Sequence, residues 1–315
     1  MVDTVDLNDI NAAQARIAEY VRHTPLVEAK PVKRPTAVNT LYLKLENMQI
    51  SGSFKARGAV NKMASLTPKQ IERGIVAASG GNHGLGVAYA GWLANAPVTI
   101  YLSSNTPEIK AKKLESWGAT VVYEGEVWDD ANRAAIAMAE HEGLVYFHPF
   151  ADPLVIAGQG TVGLEILADQ PEIDILLVAI GGGGLISGIS LAVAALNPAI
   201  KVIGVEPTGA PTLYESLRAK HLVELKDIHT AANTLAPRLS AQINLDIIRQ
   251  YVEEIVLVTD EEMRHAARWL WREMGVAAEL SGSAALAALL SDKVKVHPTQ
   301  RVCVLVCGAG TDGID

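Results

Sequence analysis

Three short segments of this 315-residue chain carry groups that could do chemistry together. The first, Ser51-Gly-Ser-Phe-Lys55, places a lysine between a strand-like run and a helix-like run. The second, Ser79 to Gly84, holds an asparagine amide among glycines, and the third, Gly181 to Gly184, is four consecutive glycines. A lysine amine, an amide and a backbone cradle suited to a phosphate predict a site for an aldehyde cofactor with a phosphate tail.

Lys55 is the candidate nucleophile. A lysine at a helix start is usually only solvated, so its neighbours decide its role. Ser51, Gly52 and Ser53 keep the approach narrow and polar, and Phe54 could shield the amine from water. A helix N-terminus and an apolar wall both disfavour the ammonium form, so we expect a lowered pKa. A neutral amine of this kind can form a Schiff base.

The four glycines follow an apolar run, Ile175 to Ile180, and open a helix-like run, Leu185 to Leu196. Backbone N–H groups and the helix dipole would then point at one spot, which suits a phosphate. The nearest competitor is a dinucleotide-binding loop. The stretch Gly182 to Ser187 departs from that pattern at its last position, but Glu206 could still bind a ribose. A nicotinamide-dependent dehydrogenase (cofactor NAD) is therefore a remote alternative.

Asn82 lies in the second segment and has two interpretations. Asparagine is common in tight glycine-rich turns, and His83 beside it proves little alone. In the functional interpretation, Ser79 and the backbone near Gly80 and Gly81 bind a carboxylate. Asn82 is then free to hydrogen-bond a phenolic oxygen.

Composition excludes several classes of protein. Hydrophobic residues make up 49% of the chain, which is ample for a core. The net charge of −8 argues against a nucleic-acid partner, because such a protein needs a basic face. No leader-like apolar run follows the N-terminus, where Asp3, Asp6 and Asp9 lie, so a cytoplasmic location is expected.

One stretch, Ile175 to Leu196, has no charged residue and is long enough to span a bilayer. Four glycines in its middle would break a membrane helix. A buried strand that turns into a buried helix fits better, so no membrane association is expected.

Strand-like and helix-like patterns alternate along the whole chain. Examples of strand-like runs are Gly74 to Ala78, Pro97 to Leu102 and Arg301 to Cys307, and Pro107 to Trp117 has a helical pattern. This alternation predicts an α/β fold with open parallel sheets. Ligands bind such sheets beyond the carboxyl ends of the strands, and all three candidate segments follow strand-like runs.

The motifs together resemble those of the fold-type II pyridoxal-phosphate enzymes, in the threonine/serine dehydratase and serine racemase family. The resemblance rests on Glu46 to Gln49 before Ser51 to Ala59, on His148 to Phe150, and on Ala157 to Thr161. It implies a tryptophan synthase β-like fold, with two open, mainly parallel α/β sheets and the cofactor in the cleft between them. The expected large domain is 1–65 and 148–315, with 70–145 inserted as a small domain.

The resemblance also implies residue roles around pyridoxal 5'-phosphate. Lys55 would be the Schiff-base lysine, Asn82 the partner of the ring oxygen, and Cys307 the neighbour of the pyridine nitrogen. A thiol cannot hold that nitrogen protonated as an aspartate would, which suits elimination. The expected cofactor-binding residues are Phe54, Lys55, Asn82, Gly181, Gly182, Gly183, Gly184, Leu185 and Cys307. The residues expected to bind the substrate carboxylate are Ser53, Ser79, Gly80, Gly81 and His83.

The implied activity is that of an ammonia-lyase, which converts a small β-hydroxy amino acid such as L-threonine or L-serine to a 2-oxo acid and ammonia. Dehydration of 3-hydroxyaspartate and racemisation of serine or another amino acid are the alternatives. Gly80 stands where racemases of this family carry a serine, which counts against two-base racemisation.

The resemblance bears on metals and partners as well. Glu206 and Ala210 match two cation ligands of some family members, but Thr212 replaces the third, acidic ligand, so no metal is expected. A small-molecule amino-acid substrate and a homodimer are expected.

Overall fold

The computed structural model describes residues 4–314, and in them strands and helices alternate as the sequence predicts. The strands are β1 (Leu26–Ala29), β2 (Thr40–Leu45), β3 (Ile75–Ala78), β4 (Val98–Leu102), β5 (Thr120–Tyr123), β6 (Val145–Tyr146), β7 (Ile175–Ala179), β8 (Lys201–Pro207), β9 (Glu254–Val258) and β10 (Arg301–Val306). The helices are α1 (Leu7–Ile17), α2 (Lys55–Ala64), α3 (Pro68–Arg73), α4 (Asn82–Ala94), α5 (Glu108–Glu115), α6 (Trp128–Glu142), α7 (Pro153–Asp169), α8 (Gly184–Leu196), α9 (Thr212–Ala219), α10 (Gln242–Tyr251), α11 (Asp260–Met274) and α12 (Ala284–Leu290).

Six strands form one sheet in the order β1-β2-β10-β7-β8-β9. All neighbours are parallel except β1, which pairs antiparallel with β2 at the edge. Every residue of β7 is buried, and α8 and α12 both pack against β7 and β8. A central parallel strand needs apolar side chains on both faces for this reason, which accounts for the uncharged run Ile175 to Ala179.

The other four strands form a fully parallel sheet in the order β5-β4-β3-β6. All of its strands lie between Ile75 and Tyr146, so they interrupt the six-stranded sheet between β2 and β7. We propose on this basis that residues 70–145 form a small domain, inserted in a large domain of residues 1–65 and 148–315. The predicted α/β architecture with two mainly parallel sheets is confirmed.

The uncharged stretch from Ile175 to Leu196 is a strand followed by a helix, as the glycines predict. Across residues 4–314, no helix is long and apolar enough to cross a membrane.

The candidate segments follow the carboxyl ends of strands. Strand β3 leads into the asparagine segment, β7 into the four glycines, and β10 into Cys307. Strand β2 reaches Lys55 through two short 3-10 turns, Glu46–Met48 and Ile50–Gly52. Parallel strands bring their carboxyl ends to one edge of a sheet, so this topology gathers the segments.

A buried ion network fixes the helix that begins at Lys55. The guanidinium of Arg57 donates to Glu46 at 2.7 and 2.9 Å and to Glu165 at 2.6 and 2.8 Å. Lys44 Nζ lies 2.7 Å from Glu165 and donates to the Thr24 carbonyl at 2.8 Å. These contacts tie α2 to α7 and to the end of β2, two residues from the candidate nucleophile.

Replacing Arg57 with methionine should destabilise the fold strongly. The buried Glu46 carboxylate would lose its cationic partner, while Glu165 would keep Lys44. Removing one partner of a buried ion pair typically costs about 3–5 kcal/mol. Urea unfolding measures this loss. The control is Lys201→Ala, which breaks the exposed pair between Lys201 and Glu253 at 2.9 Å and should leave the unfolding curve nearly unchanged. Equal effects from both variants would contradict a structural role for the network.

Candidate active site

The loops after the strands of both sheets border one cavity of about 1060 Å³. The cavity lies between the sheets, where ligands of open α/β folds bind. The part of the chain that forms the six-stranded sheet contributes Phe54, Lys55, Gly181, Gly182, Gly183, Gly184, Leu185, Glu279 and Cys307 to its lining. The part that forms the four-stranded sheet contributes Ser79, Gly80, Gly81, Asn82 and His83.

Lys55 is the first residue of α2, and its side chain borders the cavity. The turn before it is tight, because Ser51 (φ 63°) and Gly52 (φ 84°) both have left-handed backbone. Nζ donates to the Pro149 carbonyl at 2.6 Å and lies 5.1 Å from the centre of the Phe54 ring. The amine is therefore held inside the cavity between a carbonyl oxygen and an aromatic ring.

Burial lowers the pKa of Lys55 from 10.5 to about 8, and the smaller effect of Cys307 opposes this shift. The two nearby imidazoles add no competing positive charge. Burial and Lys55 lower the pKa of His148 to about 4, and the same causes place the pKa of His83 well below its usual value. Lys55 is thus the one group of these three whose protonation changes near neutral pH, as a nucleophile or general base requires.

The four glycines form a cradle that only glycine fits. Gly183, at φ 97°, is the N-cap of α8, and no side chain caps that helix. A Cβ on Gly182 would collide with the ring of Phe150, and one on Gly181 would lie 2.7 Å from the Thr234 carbonyl. A helix N-terminus with bare N–H groups at the edge of a cavity is an anion site, so the cradle suits a phosphate.

Two polar side chains that the sequence analysis missed hold the cradle in shape. Ser240 Oγ and Asn244 Nδ2 donate to the Gly182 carbonyl at 2.9 and 3.0 Å. With that carbonyl satisfied, the cradle presents donors to an anion with less competing negative charge. Both residues lie more than fifty positions after the glycines, so no local pattern marks them.

Asn82 is the first residue of α4, whose N-terminus also has no side-chain cap. Gly86 lets this helix approach Lys55 closely, because a Cβ there would lie 2.9 Å from the Lys55 carbonyl carbon. Asn82 Nδ2 donates to Glu279 Oε1 at 2.7 Å. The amide and the lysine therefore border the same cavity from adjoining helices.

Only part of the predicted carboxylate site faces the cavity. Ser79, Gly80 and Gly81 border it, and Ser79 Oγ accepts from the Gly81 N–H at 3.2 Å. Ser53 is fully buried, does not border the cavity, and its hydroxyl has no partner among the described residues. His83 Nε2 lies 2.8 Å from the Phe147 carbonyl oxygen, so this ring nitrogen already has a hydrogen-bond partner. We therefore propose Ser79 and its two glycines for this role, and Ser53 and His83 stay predictions that the geometry does not favour.

Cys307 follows β10 and borders the cavity as a buried thiol. Its Sγ lies 3.8 Å from the Ser281 carbonyl. Burial, with the nearby Glu279 carboxylate, raises the pKa of the thiol, so it stays neutral. A neutral thiol is the environment expected beside an unprotonated ring nitrogen.

Glu206, the candidate for ribose or metal binding, already has hydrogen-bond partners within the protein. Its carboxylate accepts from the N–H groups of Leu213 and Tyr214 at 2.9 and 2.8 Å and caps α9. Thr212 Oγ1 donates to the Pro237 carbonyl at 2.6 Å. In residues 4–314, no group of three or more His, Cys, Asp or Glu side chains could hold a metal ion.

Comparison with known proteins decides the family. Residues 17–308 match the family model described as pyridoxal-phosphate dependent enzyme. The chain belongs to this family. The chain is 39% identical over 308 residues to the L-threonine ammonia-lyase of Thermotoga maritima, a match that covers 98% of this chain and 76% of the relative. It is 36% identical over 310 residues to the catabolic L-threonine dehydratase of Staphylococcus aureus, covering 98% and 90%.

Solved structures give the same result. Maize serine racemase superposes with a TM-score of 0.91 at 32% identity, covering 98% of this chain and 94% of that one. The processed form of threonine deaminase isoform 2 from Solanum lycopersicum gives a TM-score of 0.90 at 32% identity, covering 98% and 92%. The predicted fold-type II family and its pyridoxal-phosphate cofactor are confirmed, and the dehydrogenase alternative is wrong.

The residues present fit pyridoxal phosphate. The cofactor has an aldehyde, a phenolic oxygen, a ring nitrogen and a phosphate. The cavity offers an amine, an amide, a neutral thiol and an uncapped helix N-terminus whose glycines leave room for an anion. We propose that Lys55, Asn82, Cys307 and the cradle Gly181 to Gly184 hold these four groups in that order, with Phe54 and Leu185 beside them.

The cradle gives a direct test with Gly182→Ala. The added methyl group would collide with Phe150 and shift the backbone of the cradle, so affinity for pyridoxal phosphate should fall by roughly 10-fold or more, as for loss of a charge-assisted contact. Equilibrium dialysis measures this affinity. Gly118→Ala is the control for backbone strain away from the cavity, since Gly118 has a φ of 82° but a methyl there meets nothing within 4 Å. Unchanged affinity in Gly182→Ala would show that the phosphate binds elsewhere.

Proposed function

We propose that this chain is an ammonia-lyase that dehydrates a small β-hydroxy amino acid, such as L-threonine or L-serine, to a 2-oxo acid and ammonia. Full-length similarity to threonine ammonia-lyase and threonine dehydratase supports the substrate class. The observation that carries the proposal is one basic amine, Lys55, held in a cavity beside an uncapped helix N-terminus. That arrangement provides covalent attachment, anion binding and proton transfer in one place.

Lys55 has two tasks in this proposal. It attaches the cofactor, and its released amine then removes the proton from the substrate α-carbon. When bound, pyridoxal phosphate supplies the electron sink that makes this proton acidic. Because burial lowers the pKa of the amine to about 8, a useful fraction is neutral at neutral pH and can act as a general base.

The substrate is oriented by the segment after β3. Ser79 and the backbone of Gly80 and Gly81 border the cavity next to the N-terminus of α4, which favours a carboxylate. Binding the carboxylate there directs the α-carbon toward Lys55. The neutral thiol of Cys307 would leave the ring nitrogen of a bound cofactor unprotonated, which would favour a reaction in which the leaving β-hydroxyl carries the electrons away.

Elimination is preferred to racemisation because of Gly80. Racemases of this family use a serine at that position as the second acid or base. Here a Cβ on Gly80 would lie 2.9 Å from Thr106 Cγ2 and 3.3 Å from Leu102 Cδ2, so the site has little room for a side chain. Proton transfer on the second face of the cofactor therefore has no evident donor at this position.

The deciding experiment supplies the holoenzyme with a panel of β-hydroxy amino acids and measures 2-oxo acid, ammonia and product chirality. The panel includes L-threonine, L-serine, their D-forms and 3-hydroxyaspartate. We expect equal amounts of 2-oxo acid and ammonia from an L-substrate, and no turnover in Lys55→Ala. Formation of the opposite enantiomer without 2-oxo acid would make the protein a racemase. Full activity of Lys55→Ala would refute the assignment of the base.

The sequence also predicts a homodimer in the cytoplasm, and both remain predictions.

A further inference from the structure

Glu279 borders the cavity, and no motif in the sequence indicated it. It lies between α11 and the short 3-10 turn Ser281–Ser283, in the part of the chain that forms the six-stranded sheet. Its Oε1 accepts from Asn82 Nδ2 at 2.7 Å and from Thr234 Oγ1 at 3.4 Å. Asn82 begins the helix that follows β3 of the other sheet, so this hydrogen bond crosses the cavity between the two sheets.

The backbone around Glu279 leaves space for this contact. A Cβ on Gly308 would overlap Glu279 Oε1 and would lie 3.1 Å from Asn82 Nδ2. A Cβ on Gly310 would lie 2.7 Å from Glu279 Cβ. The Glu279 N–H donates to the Gly308 carbonyl at 3.1 Å, which fixes the carboxylate-bearing segment against the chain after β10.

Hydrogen-bond chemistry makes the contact directional. An ionised carboxylate only accepts, and an asparagine amide has two N–H donors on one end and one acceptor oxygen on the other. The Glu279 carboxylate therefore selects the orientation in which the Asn82 nitrogen faces it. The second N–H of that nitrogen remains for another acceptor. Without the carboxylate the amide could turn over and present its oxygen instead.

We propose that Glu279 is a positioning residue that holds the Asn82 amide with an N–H toward the phenolic oxygen of the cofactor. The proposal rests on the role given to Asn82 in the proposed function. It assigns to Glu279 no contact with the reacting atoms, because it acts through Asn82. It also makes the cofactor site depend on a hydrogen bond between the two parts of the chain that carry the sheets.

The charge on Glu279 changes near neutral pH. Burial raises the pKa of this carboxyl to about 7, and the hydrogen bond from Asn82 opposes that shift. The other charged or titratable groups that face it are Asp312, which raises the pKa, Lys110, which lowers it, and the neutral thiol of Cys307. Above pH 7 the carboxylate only accepts. Below pH 7 the protonated carboxyl can donate to the amide oxygen, so its orienting effect is lost.

The experiment measures binding of pyridoxal phosphate and the visible absorption of the bound cofactor between pH 6 and 9. At pH 8.5, Glu279→Gln should bind the cofactor roughly 10- to 100-fold more weakly than the wild type, the usual loss for a hydrogen bond to a charged group. Near pH 6 only about a tenth of the wild-type carboxyl is still ionised, so the difference between the two proteins should shrink to roughly 2- to 10-fold.

A double-mutant cycle shows whether Glu279 acts through Asn82. The combined variant Asn82→Ala/Glu279→Gln should bind the cofactor no more weakly than Asn82→Ala alone. Glu262→Gln is the control, because Glu262 is a hydrogen-bonded carboxylate at the start of α11, away from the cavity, and its loss should not change binding.

A second variant covers the case in which Glu279→Gln fails to fold. Gly308→Ala keeps the carboxylate but pushes it from Asn82, and should weaken cofactor binding in the same way. Wild-type affinity and absorption in Glu279→Gln at pH 8.5, wild-type affinity in folded Gly308→Ala, or additive effects in the cycle would each overturn the proposal. These readouts do not involve substrate, so failure of the lyase assignment would appear separately as absence of 2-oxo acid.

Discussion

The central constraint on this molecule is that one amine must be kept from water while it faces a site for an anion. An ordinary lysine at pH 7 is almost wholly protonated and cannot attack a carbonyl carbon. The protein meets this requirement by placing Lys55 at a helix start, against the Phe54 ring and the Pro149 carbonyl, inside a cavity bordered by both sheets. Burial is the largest cause of the lowered pKa that results.

The rest of the fold holds this arrangement together. Arg57, two residues after the lysine, joins α2 to the end of β2 and to α7 through buried carboxylates. Gly86 brings α4 against the lysine from the other side. The phosphate cradle needs no charged side chain, because the N-terminus of α8 provides the positive end of a helix dipole.

The sequence alone was sufficient to predict which segments border the cavity, because each segment is defined by residues that are neighbours along the chain. The lysine motif, the asparagine segment and the four glycines each follow a strand and begin a helix, and the alternation of strands and helices places them at one edge. It failed where partners are distant in the chain. Glu279 bonds to Asn82, which is 197 positions away in the chain. The Gly182 carbonyl accepts from Asn244, in α10, and from Ser240, just before that helix. No local pattern contains such contacts.

Two of the predicted substrate contacts, Ser53 and His83, show the same limit. Ser53 and His83 lie beside Lys55 and Asn82 in sequence, but neighbours along a turn point in different directions. The Ser53 hydroxyl is turned into the protein, and the His83 ring is tied to the Phe147 carbonyl. The predicted segments border one cavity, and the coordinates show that His83 borders it with a ring nitrogen already hydrogen-bonded, whereas Ser53 does not border it.

The most direct measurement follows the pH dependence with which the apoprotein captures pyridoxal phosphate covalently, using borohydride to trap the product and mass spectrometry to locate it. The label should be at Lys55, and the capture rate should rise about tenfold per pH unit and level off near pH 8, since only the neutral amine reacts. Nα-acetyl-lysine under the same conditions should continue to accelerate up to about pH 10. A label on a different lysine, or a capture rate that follows the free amino acid, would contradict the account.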